Sequence, residues 1–199
     1  METQSERKRR KNTGLEPGVL RLVVSAVMLG LATALSMVKL FQMPLGGSVT
    51  LCSMLPVLLT GYRFGPKWGL GVGLAYGLIQ MMLDFSAVLS WGLTPTAVAV
   101  SFAVDYLLAF SALGLAGVYG RGSVKKFVAG LTTAAALRFA CHVIAGVTAY
   151  LSFVPEDWAG HPFLYSLAYN GSFLLPDFGI CLAAGLLIYY PLRRYLEEK

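Results

Sequence analysis

Phe127-Val-Ala-Gly-Leu-Thr-Thr-Ala-Ala-Ala-Leu-Arg138-Phe-Ala-Cys-His142-Val-Ile-Ala-Gly146-Val-Thr-Ala-Tyr150-Leu151 decides what surrounds this chain. The run is long enough for a helix to cross a hydrocarbon layer about 30 Å thick, yet it carries a guanidinium and an imidazole. Arg138, His142, Gly146 and Tyr150 recur every fourth residue, so on a helix they drift slowly around one face. Lipid offers no hydrogen-bond partner to backbone or ionisable groups. The segment is therefore predicted to be an α-helix that turns this face inward, toward other helices.

The rest of the chain repeats the pattern. Apolar blocks cover 18–39, 50–62, 68–84, 95–119 and 164–191, and 50–62 is too short for a comfortable crossing unless its ends are tucked against neighbours. The 199 residues are 56% hydrophobic and only 13% charged, with a mean hydropathy of +0.66. Soluble domains carry about a quarter charged residues. The fold class expected is an all-α, polytopic membrane protein with six transmembrane helices. Residues 1–17 form a basic tail, 18–192 the six-helix domain and 193–199 a second tail.

Lys and Arg set the orientation. They cluster at Arg7 to Lys11 with Arg21, at Arg63 and Lys67, at Arg121, Lys125 and Lys126, and at Arg193, Arg194 and Lys199. Every second connection is thus basic, while those between hold Lys39 alone, then Asp84, then Glu156 and Asp157. By the positive-inside rule the N-terminus and C-terminus are both cytoplasmic. The same distribution explains the net charge of +6 without nucleic acid as a partner; the lipid bilayer is the partner it implies. Because the first apolar block is long and lacks a small-residue cleavage site, it is read as a retained span rather than a signal peptide. Cys52, Cys141 and Cys181 have neither paired spacing nor an even count, so no disulfide or metal is expected.

Two connections and two stripes stand out. The outer segment 40–49, with Thr50, is rich in turn formers, and reads as a hinged lid or as a plain connector. In 152–163, Trp158 and Phe163 are expected at the membrane interface. Ala26, Gly30 and Ala34 repeat at four-residue spacing in the first span, as do Gly69, Gly73 and Gly77 in the third. Such stripes admit another helix closely, either within the bundle or from a separate membrane subunit.

Ionisable groups inside spans need a reason to persist. Asp105, followed by Tyr106, lies mid-span in the fourth block; Arg138 and His142 lie in the fifth, and Asp177 follows Pro176 in the sixth. Tyr165 and Asn170 add a phenol and a carboxamide. Together they suit a flat, nitrogen-rich ligand: aromatic plates for ring faces, Asn170 for ring nitrogens, Asp105 for a cationic centre. The plainer reading is that Asp105 and Arg138 neutralise each other while His142 caps a carbonyl. No phosphate-binding loop, zinc-protease pair or hydrolase elbow occurs; no cofactor, metal or catalytic residue is expected, and energy for any transport must come from a gradient or a partner.

Five stretches resemble the thiamine-specific S components of energy-coupling factor (ECF) transporters, over about Leu20 to Leu192. They are Ala26-Val-Met-Leu-Gly30, Gly46-Gly-Ser-Val-Thr-Leu-Cys-Ser-Met-Leu-Pro56, Asp105-Tyr-Leu-Leu-Ala-Phe-Ser-Ala-Leu-Gly-Leu-Ala-Gly117, Arg138-Phe-Ala-Cys-His142-Val-Ile-Ala-Gly146 and Tyr165-Ser-Leu-Ala-Tyr-Asn-Gly-Ser172. The resemblance implies a six-helix subunit in the cell membrane of a prokaryote. It would capture thiamine from outside and associate with a transmembrane coupling subunit and two ATPase subunits. It places the binding acid on Asp105, further ligand contacts on Tyr106, His142, Tyr165 and Asn170, and a basic position on Arg138; Gly146 joins the candidate site through the four-residue stripe. Tyr150 falls where some members have a stacking Trp, and Gly46-Gly47 where some carry a loop Trp. Ala26 and Gly30 fall on the family's docking stripe. The rival readings are capture of another vitamin such as riboflavin or biotin, a membrane enzyme using Asp105, His142 and Arg138, and a scaffold without ligand.

Overall fold

The computed structural model describes residues 17–44 and 46–197; most of the basic N-terminal tail lies outside them. Helix α1 spans Pro17–Met37 and leads into a hairpin of β1 (Lys39–Gln42) and β2 (Ser48–Thr50). There follow α2 (Leu55–Phe64), α3 (Pro66–Ser90), α4 (Pro95–Gly117), α5 (Val124–Thr148) and α6 (Pro162–Glu197). Proline occupies the first turns of α2, α3 and α4, where the missing N–H has no helical partner to lose. Thr94 and Ser123 cap α4 and α5 by accepting from Ala97 N and Lys126 N, each at 3.3 Å.

Among the described residues five helices, α1 and α3 to α6, are long and apolar enough to cross a membrane. The block 50–62 behaves differently from the other five. Its start pairs in β2 and its remainder forms α2, whose 10 residues rise about 15 Å, half a hydrocarbon layer. From Leu55 to Tyr62, α2 is buried, so it is enclosed by its neighbours. Two boundaries also move: α3 runs past the apolar block to Ser90, which places Asp84 in a helix wall rather than a connection, and α6 continues through the basic end to Glu197.

The outer loop is not irregular. Lys39 pairs with Thr50, Phe41 with Val49 and Gln42 with Ser48, antiparallel with a bulge after Lys39, a short hairpin added to an otherwise helical fold. The hairpin pairs the backbone groups of the two strands with each other. Gly46, at φ +94°, makes its turn.

Helices α2, α3 and α4 pack closely against one another. A Cβ on Gly114 would stand 2.0 Å from the Gly69 carbonyl carbon, and one on Gly73 2.5 Å from Phe110 O; only glycine permits these backbones to meet. Across the interface, edge-to-face pairs Tyr76–Phe110 and Tyr62–Phe127, with centroids 5.1 and 5.0 Å apart, fill the space between helices. The bundle is therefore tight on the α2 side and opens toward the hairpin.

Candidate functional site

Helix α4 supplies the first pair of polar groups through an irregularity. From Ser101 to Leu108 it is wound as a π-helix, a wider turn that often marks functional sites. Adjacent residues Asp105 and Tyr106 both line one cavity of about 360 Å³ beneath the hairpin. That volume falls within the range of small-molecule sites.

Helix α5 supplies the second group. Arg138 and His142 are buried on one face, and Arg138 Nε donates to His142 Nε2 at 3.2 Å. A guanidinium has no lone pair to offer, so Nε2 is the acceptor and the ring hydrogen sits on Nδ1. Nδ1 then donates to Asp105 Oδ1 at 2.5 Å. His142 is thereby interposed between the two charges, and both ring nitrogens are engaged by side chains. The direct Asp105–Arg138 pair of the plainer reading is absent among the described residues, and the carboxylate keeps Oδ2 toward the cavity. Tyr150 hydroxyl reaches that oxygen only at 3.5 Å and bonds Ser101 Oγ at 2.6 Å.

The four-residue stripe survives in altered form. Gly146 borders the cavity and also brings α6 close, since a Cβ there would lie 2.1 Å from Ser166 Oγ. Tyr150 lies just beyond the end of α5, its N–H bonded to Ala145 O at 3.2 Å. On α6, Asn170 Nδ2 donates to His142 O (3.3 Å), Ser166 O (2.9 Å) and Ser166 Oγ (3.2 Å). Two of these partners are carbonyls, which fixes the amide's orientation and leaves Oδ1 as its free acceptor. Tyr165 lines the same cavity, as do Arg138, His142, Gly146, Tyr150 and Asn170. All eight residues singled out from the sequence thus border one space.

The hairpin roofs it. A Cβ on Gly47 would penetrate the Phe173 ring at 2.4 Å, and one on Gly46 would meet Trp91 at 2.9 Å. At its base, Thr50 N and Oγ1 both donate to Asp177 Oδ1, at 2.8 and 2.9 Å, tying β2 to α6.

A family model described as thiamine transporter protein matches residues 22–196. The chain belongs to this family. The thiamine transporter ThiT of Bacillus subtilis is 32% identical to this family member over 196 residues, 90% of this chain and 95% of its own. A solved structure of ThiT from Listeria monocytogenes has a TM-score of 0.71 at 20% identity, covering 91% of this chain and 99% of that one; the two share a fold.

Several cavity residues of this thiamine transporter family member escaped the sequence reading. Ser166 and Phe173 join Asn170 and the already noted Asp177 at spacings of three and four along α6, a stripe that the logic applied to α5 reaches equally well. Asp84 was hidden because α3 outlasts its apolar block. Trp91 had no signal at all: it sits in a connection, and only folding brings it to Gly46 at the roof.

Proposed function

We propose that this chain is the thiamine-binding S component of an ECF importer in the prokaryotic cell membrane, a transport subunit and not an enzyme. The observation that carries this reading is Asp105, a carboxylate held by neutral His142 on one oxygen and open on the other to the cavity. Asn170 Oδ1 is likewise free to accept. A site of converging acceptors asks for a cationic ligand rich in donors, and thiamine's thiazolium charge and aminopyrimidine meet both requirements. Under this reading the thiazolium rests near Asp105, Tyr165 and Asn170 read the pyrimidine, Tyr106 and Tyr150 cover ring faces, and the hairpin closes over them.

The membrane arrangement follows the same reading. The domain makes six passes, with α2 as the short enclosed one, and both ends face the cytoplasm in keeping with the Lys and Arg distribution. Ala26 and Gly30 are exposed on α1, and a Cβ on Gly30 would touch nothing within 4 Å. They offer a flat track for the transmembrane coupling subunit, through which two ATPase subunits reorient the loaded bundle and release vitamin inward.

The test is a titration of the purified protein with thiamine, riboflavin and biotin, followed by intrinsic fluorescence with Trp91 as the rim reporter. Saturable one-to-one quenching by thiamine alone is expected. No response to thiamine, or tighter binding of another vitamin, overturns the assignment.

A further inference from the structure

Besides Asp105 and Asp177 the cavity has a third carboxylate, Asp84, at the end lined by α1, β1 and α3. There Ser36 Oγ bonds Thr33 O at 2.8 Å and Gln80 Oε1 at 3.4 Å, while Gln80 Nε2 donates to Tyr76 hydroxyl at 3.0 Å. Those polar groups are committed to one another. Asp84 is not: its Oδ2 accepts from Tyr106 hydroxyl at 3.1 Å, and its Oδ1 accepts no hydrogen bond from the described residues. Because Tyr106 directs its only hydroxyl hydrogen to Asp84, the phenol oxygen too can only accept. This end of the cavity therefore presents acceptors, one of them charged, with the exposed Lys39 as the cation nearby.

We infer that Asp84, with the Tyr106 hydroxyl it orients, is a specificity determinant that recognises a hydroxyl at the substrate's far end and rejects its phosphate ester. The inference rests on the thiamine reading above. With the pyrimidine at Tyr165 and Asn170 and the thiazolium at Asp105, the remaining two-carbon arm extends toward α3, and its primary hydroxyl donates to Asp84 Oδ1. A phosphate in that place brings negative charge and oxygens with little or no hydrogen to give, against a carboxylate and a lone pair. Lys39 lies on a flexible stem in the exposed strand, where water screens it.

Equilibrium binding of thiamine, thiamine monophosphate and the deoxy analogue with an ethyl arm, measured on the full-length protein, tests this. Wild type should bind thiamine about 100-fold more tightly than the monophosphate and about tenfold more tightly than the deoxy analogue. In Asp84→Asn the preference over the monophosphate should shrink by about tenfold or more, with a loss for thiamine and a gain for the ester. Asp84→Ser carries the same comparison if the first variant does not fold, and the deoxy measurement needs no variant. Equal weakening of all three ligands by the substitution, or a wild type indifferent to the hydroxyl, overturns the inference and leaves the thiamine reading standing. A wild type that binds none of the three overturns both.

Discussion

Two stripes of small residues at the same four-residue spacing meet opposite fates in this molecule. Gly69, Gly73 and Gly77 of α3 are buried against the backbone of α4, where an added Cβ at Gly69 would come within 2.2 Å of Gly114 O. Ala26, Gly30 and Ala34 of α1 face outward, beside exposed Leu22, Val27 and Leu31. The buried residues of α1 lie elsewhere, at Ser25, Ala32 and Ser36, where Ser25 accepts from Trp68 Nε1 at 2.9 Å. A small-residue stripe thus states that a helix can approach, and the neighbours already present decide whether one does.

This contrast is open to attack at both ends. The largest effect is expected from Gly114→Ala, which drives a methyl into the Gly69 backbone and should cost about 3 kcal/mol or more; a thermal midpoint equal to wild type in detergent would show that the α3–α4 contact yields. Asp105→Asn separates cavity from packing. Thiamine affinity should fall about 100-fold, near 2.7 kcal/mol, with the thermal midpoint of the ligand-free protein nearly unchanged, as calorimetry on both forms will show.

On the outer stripe, Ala26→Leu combined with Gly30→Leu should leave thiamine binding by the isolated subunit intact while vitamin uptake by cells carrying the whole transporter drops about tenfold. Full uptake in that double variant would remove α1 from the docking surface. The smallest effect sharpens the comparison most. Gly30→Ala fills open space on a helix interior and should stabilise by about 0.5–1 kcal/mol, the reverse of alanine at Gly114, and paired denaturation curves will show whether the signs differ.

The site was legible where helical spacing carried it. Arg138 and His142 share a buried face because four residues advance a helix by little more than one turn, and Asp105 stood out because ionisable groups are rare in lipid. What spacing did not carry was the order of contact: Arg138 and Asp105 look like a pair in sequence, yet the imidazole between them takes up one bond from each. Gly146 both borders the cavity and lets the Ser166 hydroxyl come close to α5. Asp84 and Trp91 were misplaced or missed because helix ends depend on local capping and packing that apolar content does not measure.

Hydrophobic blocks and the placement of Lys and Arg determine by themselves that this chain belongs in a bilayer and which residues must turn away from lipid, since the cost of an unsatisfied polar group there is paid regardless of topology. Tertiary structure alone decided which stripe was left bare, that block 50–62 would shorten into an enclosed helix, and that a tryptophan and an aspartate from α3 and the residue after it would complete the cavity. Those outcomes depend on which backbones come within contact distance across the bundle, and no local pattern along one helix encodes its neighbour.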